Sequence, residues 1–385
     1  MNKNKINSTP VETEQNRTEQ NRFDTPYLTE QIITYLGNKR SLLQFIDSAV
    51  QVVQHDLGKT DLTTLDLFSG SGIVARYFKT FAKSVFANDL EGYSNRINRC
   101  YLMNSDEFDM QKLVQYYQDV VTKTTNLTPG FISEMYSPKD DKNIKLGERV
   151  FYTTRNAKYI DTVRKELSLI PDPYQTLLLA PLLYEASVKN NTSGVFKGFY
   201  KNSATKIGQF GGNGKNALTR IMSDITLSMP VLSERNCEYK VFQQDANELI
   251  KSLPHVDLAY LDPPYNQHPY SSNYFMLNLI NDYIKPKEVS TVSGIPTDWH
   301  KSDYNKKALA LTNLKELCTN IDASYILISF NSDGFISKNE MVEMLESLGT
   351  VQVFAKDYNT FRGCRNLSER DIHIKEYLYL LKKEV

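Results

Sequence analysis

Residues 64–78, Thr64-Leu65-Asp66-Leu67-Phe68-Ser69-Gly70-Ser71-Gly72-Ile73-Val74-Ala75-Arg76-Tyr77-Phe78, run from an apolar stretch through a glycine turn into an apolar helical pattern. A second apolar stretch, residues 84–89, follows and ends on Asp89. Strand, turn, helix and strand in that order form the βαβ pattern of a parallel sheet with helices packed on its faces. Gly70 and Gly72 let the backbone turn tightly and approach a ligand without a Cβ in the way. Such a ligand would lie beyond the carboxyl ends of the strands, where open α/β sheets usually bind.

The turn alone leaves its ligand open. Gly70-x-Gly72-x-x-Ala75 also fits a dinucleotide fingerprint, and Asp89, 19 residues after Gly70, stands where an acid would hold ribose hydroxyls. A nicotinamide-dependent oxidoreductase is therefore an alternative, as is a turn that only packs helix on strand. Asp66 and Phe68 inside the turn lean toward a methyl donor.

Further along, residues 237–246, 255–265, 323–330, 351–358 and 376–383 are strand-like, and the last two could pair with each other. Between about 95 and 230 the character is helical, as in residues 177–189, and then rich in Gly and Asn. The expected fold class is α/β, a Rossmann-like sheet with an inserted, mostly helical domain. The expected division is a disordered N-terminal arm over 1–25, a catalytic domain over 26–95 and 236–385, and the insert over 96–235.

The buried run 256–261 leads into Asp262-Pro263-Pro264-Tyr265. Two successive prolines lack N–H donors and fix φ, so the segment cannot continue a sheet ladder and its carbonyls stay free to accept. This suits one chemical problem. An exocyclic aromatic amine is a poor nucleophile because its lone pair is delocalised into the ring. Acceptors for its two hydrogens, the Asp262 carboxylate and the Pro263 carbonyl, would draw the nitrogen toward tetrahedral geometry and aim the lone pair at a methyl group. Tyr265 would stack on a base taken out of the duplex. Such catalysis rests on positioning and fixed electrostatics, and needs neither metal nor covalent nucleophile. A proline turn that merely closes a strand is the bland alternative.

Charge balances at 45 basic and 45 acidic residues, which by itself speaks against a nucleic-acid partner. Its distribution does not. From Ala186 to Arg220 there is no Asp or Glu, but there are Lys189, Lys197, Lys201, Lys206, Lys215 and Arg220. Lys356, Arg362, Arg365 and Arg370 form a second basic cluster. Both are candidate phosphate-facing patches, with a solvated surface loop as the alternative. No stretch approaches the roughly 18 apolar residues of a membrane span, and the polar N-terminus does not read as a signal peptide, so a cytoplasmic location is expected. Cys100, Cys237, Cys318 and Cys364 are scattered singly, which argues against a disulfide framework or a structural zinc site.

With these motifs in this order, the sequence resembles the adenine-N6 DNA methyltransferases of the Dam and type II restriction–modification group. The resemblance runs from about Tyr35 onward. It implies S-adenosylmethionine as methyl donor and double-stranded DNA as partner. Tyr35-Leu36-Gly37-Asn38-Lys39 looks like the family's N-terminal motif, which would set Tyr35 and Lys39 against the donor, Lys39 at its carboxylate. Asp66, Phe68, Gly70 and Gly72 match the donor turn and Asp89 the ribose acid. Asp245 matches the residue at the donor's adenine, with helix N-capping as its alternative. Asp262, Pro263, Pro264 and Tyr265 match the catalytic motif, Asp262 also facing the donor. Residues 190–202 resemble a hairpin-bearing recognition segment, and 329–335 and 358–367 are also similar to family segments, the latter expected against the DNA backbone.

One flipped adenine per event needs only a monomer. The expected role is the modification enzyme of a restriction–modification system, beside a separately acting cognate endonuclease, or alternatively a solitary Dam-like methylase. Cytosine-N4 enzymes usually carry Ser in place of Asp262, so adenine is favoured over cytosine or RNA. The recognition segment has no match to that of Dam, and a GATC target cannot be carried over.

Overall fold

A computed structural model describes residues 22–359 and 373–384. Most of the expected arm, residues 1–21, lies outside this range, as do Arg362, Arg365, Arg370 and Cys364. One seven-stranded sheet organises the chain: β1 (Thr63–Asp66), β2 (Ser84–Asn88), β3 (Glu238–Phe242), β4 (Val256–Leu261), β5 (Ala323–Asn331), β6 (Gly349–Asn359) and β7 (His373–Lys383). Their order across the sheet is β3-β2-β1-β4-β5-β7-β6. The first five pair in parallel, and β7 runs antiparallel between β5 and β6. The expected pairing of the two C-terminal runs is thus observed, and the fold is the expected Rossmann-like α/β sheet.

Alternation along the strands explains the layers. Leu258, Tyr260, Leu327, Leu378 and Leu380 point to one face, and Ala259, Leu261, Ile326, Ile328 and Leu381 to the other. The first face packs α1 (Leu43–Leu57), α2 (Ile73–Lys79), α3 (Gly92–Tyr101), α5 (Thr154–Leu167) and α6 (Tyr174–Val188); α4 (Met110–Lys123) joins this layer through Leu113 and Val120. The second face is covered by the short helix Ala246–Leu249, α8 (Lys307–Asn320) and α9 (Lys338–Glu346), while α7 (Phe275–Asp282) lies with the first group. The regular elements between α3 and β3 are mostly helices but cover less than half of that segment, and its α6 carries the apolar run 177–183 fully inside the core. α3 itself continues through residues 95 and 96. Among the described residues no helix is long and apolar enough to cross a membrane.

Strand order reverses between β1 and β4. Crossovers leave the sheet on opposite sides there, and a crevice opens beyond their carboxyl ends. Asp66 ends β1 and Asp262 follows β4, so the two motifs meet at this switch point.

Candidate active site

A cleft opens at the switch point, beyond the carboxyl ends of β1 and β4, where open α/β sheets bind ligands. Tyr35, Lys39, Asp66, Phe68, Gly70, Asp89, Asp245, Asp262 and Pro264 all line it. Segments more than 200 residues apart in sequence therefore converge as the motif order implied.

Gly70 has φ +48°, and its N–H donates to Asp89 Oδ2 at 2.7 Å. Asp89 Oδ1 accepts the N–H of Glu91 at 2.9 Å, so this carboxylate braces the turn as well as facing the cleft. Burial pushes the Asp89 carboxyl up to about 6. A Cβ on Gly70 would sit 2.7 Å from Tyr35 Cε1. That ring cannot withdraw, because it packs near-parallel to Tyr270 and Tyr274 with centroids 5.0 and 4.7 Å away. Gly70→Ala is therefore expected to destabilise the protein by about 2 kcal/mol or more, from left-handed strain and overpacking together. It should also weaken binding of a ligand that approaches this turn's backbone. Thermal unfolding and calorimetric titration with donor check both, and an alanine variant matching wild type in each would remove the close-approach argument.

Asp66 is 1% exposed, and neither carboxylate oxygen has a hydrogen-bond partner. Burial, compounded by Asp262 and Asp89, drives its carboxyl well above the usual carboxylate range; the Ala75 N–H offsets a little of this without making a hydrogen bond to it. A buried acceptor left unpaired is costly, so its position on the cleft wall marks a place for a ligand's donors. Phe68 meets Tyr304 edge-on at 5.3 Å along the same wall. Asp245 Oδ1 N-caps the helix Ala246–Leu249, accepting from Asn247 N at 2.9 Å and Glu248 N at 3.3 Å, and its residue also borders the cleft.

Lys39 is 6% exposed. Its Nζ lies 3.1 Å from Asp262 Oδ2 and 3.3 Å from Glu376 Oε1. Burial works against its charge, but the two carboxylates outweigh it and keep the ammonium protonated. Burial also pushes the Asp262 carboxyl up to about 6, with Lys39 opposing the shift. Pro263 is buried, and Tyr265 is half-buried with its ring edge-on to Phe330 at 6.2 Å. The Tyr265 carbonyl accepts the Phe335 N–H at 3.0 Å, which ties the tetrapeptide to the segment 329–335.

The basic segment divides. Lys201 and Gly208 form an antiparallel bridge, with Asn202 N bonded to Ile207 O and Gln209 N to Tyr200 O, so a hairpin is present and carries Lys201 and Lys206. Phe196 N donates to Asn273 O at 2.7 Å, and Lys197 Nζ lies 3.2 Å from His268 Nδ1, three residues past Tyr265. Residues 196–197 thus sit beside the segment that follows the 262–265 loop. Lys215 is exposed, as is Lys356 on β6. Lys189, by contrast, is paired with Glu185 and bonded to Asp224 O, and Arg220 donates to the carbonyls of Val188 and Thr192. Those two cations are engaged inside the fold.

Several site residues escaped the sequence reading. Glu376 is one, although a charge on the same strand face as Leu378 and Leu380 was a readable anomaly. Tyr270 and Tyr274, spaced one helical turn apart behind the tetrapeptide, are others. Glu91, 4% exposed, accepts from Asn278 Nδ2 at 2.6 Å and pairs with His300 Nε2 at 3.1 Å, which raises the His300 pKa.

A doubly wound sheet with an acid-ended β1, a glycine turn and an acceptor tetrapeptide after β4 defines a methyltransferase acting on an exocyclic amine. The chain belongs to the D12 class N6 adenine-specific DNA methyltransferases, whose family model matches residues 35–344. It is an adenine-specific DNA methyltransferase, which sets aside both the oxidoreductase and the cytosine or RNA alternatives. It is similar to the type II methyltransferase M.NlaIII of Neisseria lactamica, 30% identical over 91% of this chain and 99% of that one. M.CviAII of Paramecium bursaria Chlorella virus 1, another type II methyltransferase, is 31% identical over 91% and 98% of the two chains. The modification methylase StsI of Streptococcus sanguinis is 28% identical over 91% of this chain but only 52% of its own length.

Proposed function

We propose that this methyltransferase takes its methyl group from S-adenosyl-L-methionine and delivers it to N6 of an adenine extruded from duplex DNA. We infer further that it is the modification enzyme of a restriction–modification system, with a separate endonuclease as counterpart, working as a cytoplasmic monomer. The observation that carries the reading is the unpartnered Asp66 carboxylate in the same cleft as Asp262.

The donor carries an ammonium, a carboxylate, a ribose and an adenine, and when bound it supplies an electrophilic methyl on a sulfonium. The residues fit it. Asp66 would satisfy its orphaned oxygens on the ammonium, and the Gly70 turn gives backbone access. Each Asp89 oxygen keeps acceptor capacity beyond the one backbone N–H it takes, and Asp245, whose Oδ1 already takes two, keeps its Oδ2, enough for ribose hydroxyls and an adenine amine. Asp262 and the Pro263 carbonyl would accept the two N6 hydrogens, and Tyr265 would face the base. Lys39 is assigned to Asp262 rather than to the donor carboxylate, on its 3.1 Å separation.

Target recognition is assigned to residues 96–235, with Lys197, Lys201, Lys206 and Lys215 toward phosphates. Arg362 and Arg365 are carried by resemblance alone. Neutralising Lys197 and Lys201 should weaken DNA binding about equally for all sequences and shallow the salt slope by about 0.9 per lost phosphate contact. An unchanged slope in a filter-binding series would return these lysines to a solvated surface. The function itself is tested by incubating the protein with labelled donor and unmethylated duplex DNA and digesting to nucleosides. N6-methyladenine is expected; no transfer, or label on cytosine, would overturn the reading.

A further inference from the structure

Lys39 poses a problem that the methyl-transfer reading does not use. A buried ammonium needs partners, and here it has two carboxylates from unrelated parts of the chain. Asp262 lies in the loop after β4. Glu376 lies on β7, hydrogen-bonded on both sides, in register with Asn331 of β5 and Lys356 of β6. The residue is 3% exposed, and its Oε1 also accepts Ser329 Oγ at 2.7 Å. The rigid end of the chain Ser329–Glu376–Lys39–Asp262 is therefore the sheet, and the adjustable end is the carboxylate beside the tetrapeptide.

We propose that Glu376 is a positioning residue for methyl transfer: through Lys39 it fixes Asp262 Oδ2 and leaves the other carboxylate oxygen for the amine of the target base. This rests on the assignment of Asp262 made above. The geometry has an electrostatic consequence. An ammonium shared between two carboxylates is drawn partly away from each, so Asp262 remains a stronger acceptor than it would be with Lys39 to itself. The other groups facing Asp262 are Asp66, Tyr260, Tyr265 and Tyr270. Burial raises the pKa of each, and Glu376 is the second carboxylate that pairs with Lys39.

Glu376→Gln keeps the length and the acceptor for Ser329 but removes the charge. Single-turnover methylation should slow about tenfold, less than the roughly 10²- to 10³-fold cost of deleting a group that itself touches the reacting atoms. KM for donor and Kd for DNA should stay near wild type. The acid limb of the rate profile should move to lower pH by about one unit, because Asp262 then has Lys39 alone. Ser329→Ala, which keeps the carboxylate but frees its orientation, should slow transfer in the same way with a smaller pH displacement. Wild-type rate and an unmoved limb in both variants would overturn the positioning role while leaving the methyltransferase reading intact. A raised KM or Kd with an unmoved limb would equally overturn it, as a structural effect only. Wild-type protein that methylates adenine without an acid limb would instead remove the Asp262 assignment beneath it.

Discussion

Replacing Asp262 with alanine is expected to slow single-turnover methyl transfer by about 10³-fold, the scale seen when one preorganised polar group at a reacting centre is deleted. Donor binding should weaken only a few-fold, because the donor's charged end is assigned to Asp66. The amine must hand its hydrogens to acceptors as its nitrogen becomes tetrahedral, and a carboxylate does this only when ionised. Burial holds the Asp262 carboxyl at about 6. Below that pH the group is protonated and becomes a donor, so the rate should fall about tenfold per pH unit, and above it the rate should level off. Asp262→Asn, which keeps the shape, should lose this limb along with most of the rate. Near-normal turnover in the alanine variant, or a wild-type rate flat from pH 5 to 8, would show that the tetrapeptide is only a turn.

How much of this was legible in sequence depended on whether the signal was local. The glycine turn, the parallel strands and the tetrapeptide are short-range patterns, and the structure places all of them as read. Partnership is not local. Counting charges from Ala186 to Arg220 found six cations without an acid, yet Glu185, one residue outside the window, lies one helical turn from Lys189 and pairs with it. Arg220 is engaged by main-chain carbonyls, which carry no sequence signature. The motif implies the donor as the partner of Lys39, but its nearest anions come from β7 and from the loop after β4, brought together only by the strand order. Asp89 and Asp245 show the same limit in milder form. Their identity was readable, but their hydrogen bonds to backbone N–H groups needed the folded turn and helix end.

Asp66→Asn should separate stability from binding in opposite directions. In wild type without donor, Asp66 is buried with both oxygens unsatisfied, and its folded pKa stands well above the unfolded value of about 4. The folded state thus binds the proton more tightly than the unfolded state. Its contribution to stability is fully present below the unfolded pKa and is lost as pH rises through the folded one. At pH 8 the donor-free protein therefore bears the cost, on the order of 1–3 kcal/mol for an unsatisfied buried group. An amide has no charge to desolvate, so the variant should unfold several degrees higher at pH 8, with the gain shrinking toward pH 5. Loss of the charge-assisted contact to the donor's ammonium should raise the donor Kd about 10- to 100-fold, equivalent to roughly 1.5–3 kcal/mol. The donor-induced rise in unfolding temperature should shrink accordingly. Scanning calorimetry with and without donor at the two pH values reads all of these. A variant that is no more stable than wild type and binds donor equally well would mean that Asp66 already has a partner and that the cleft holds its ligand elsewhere.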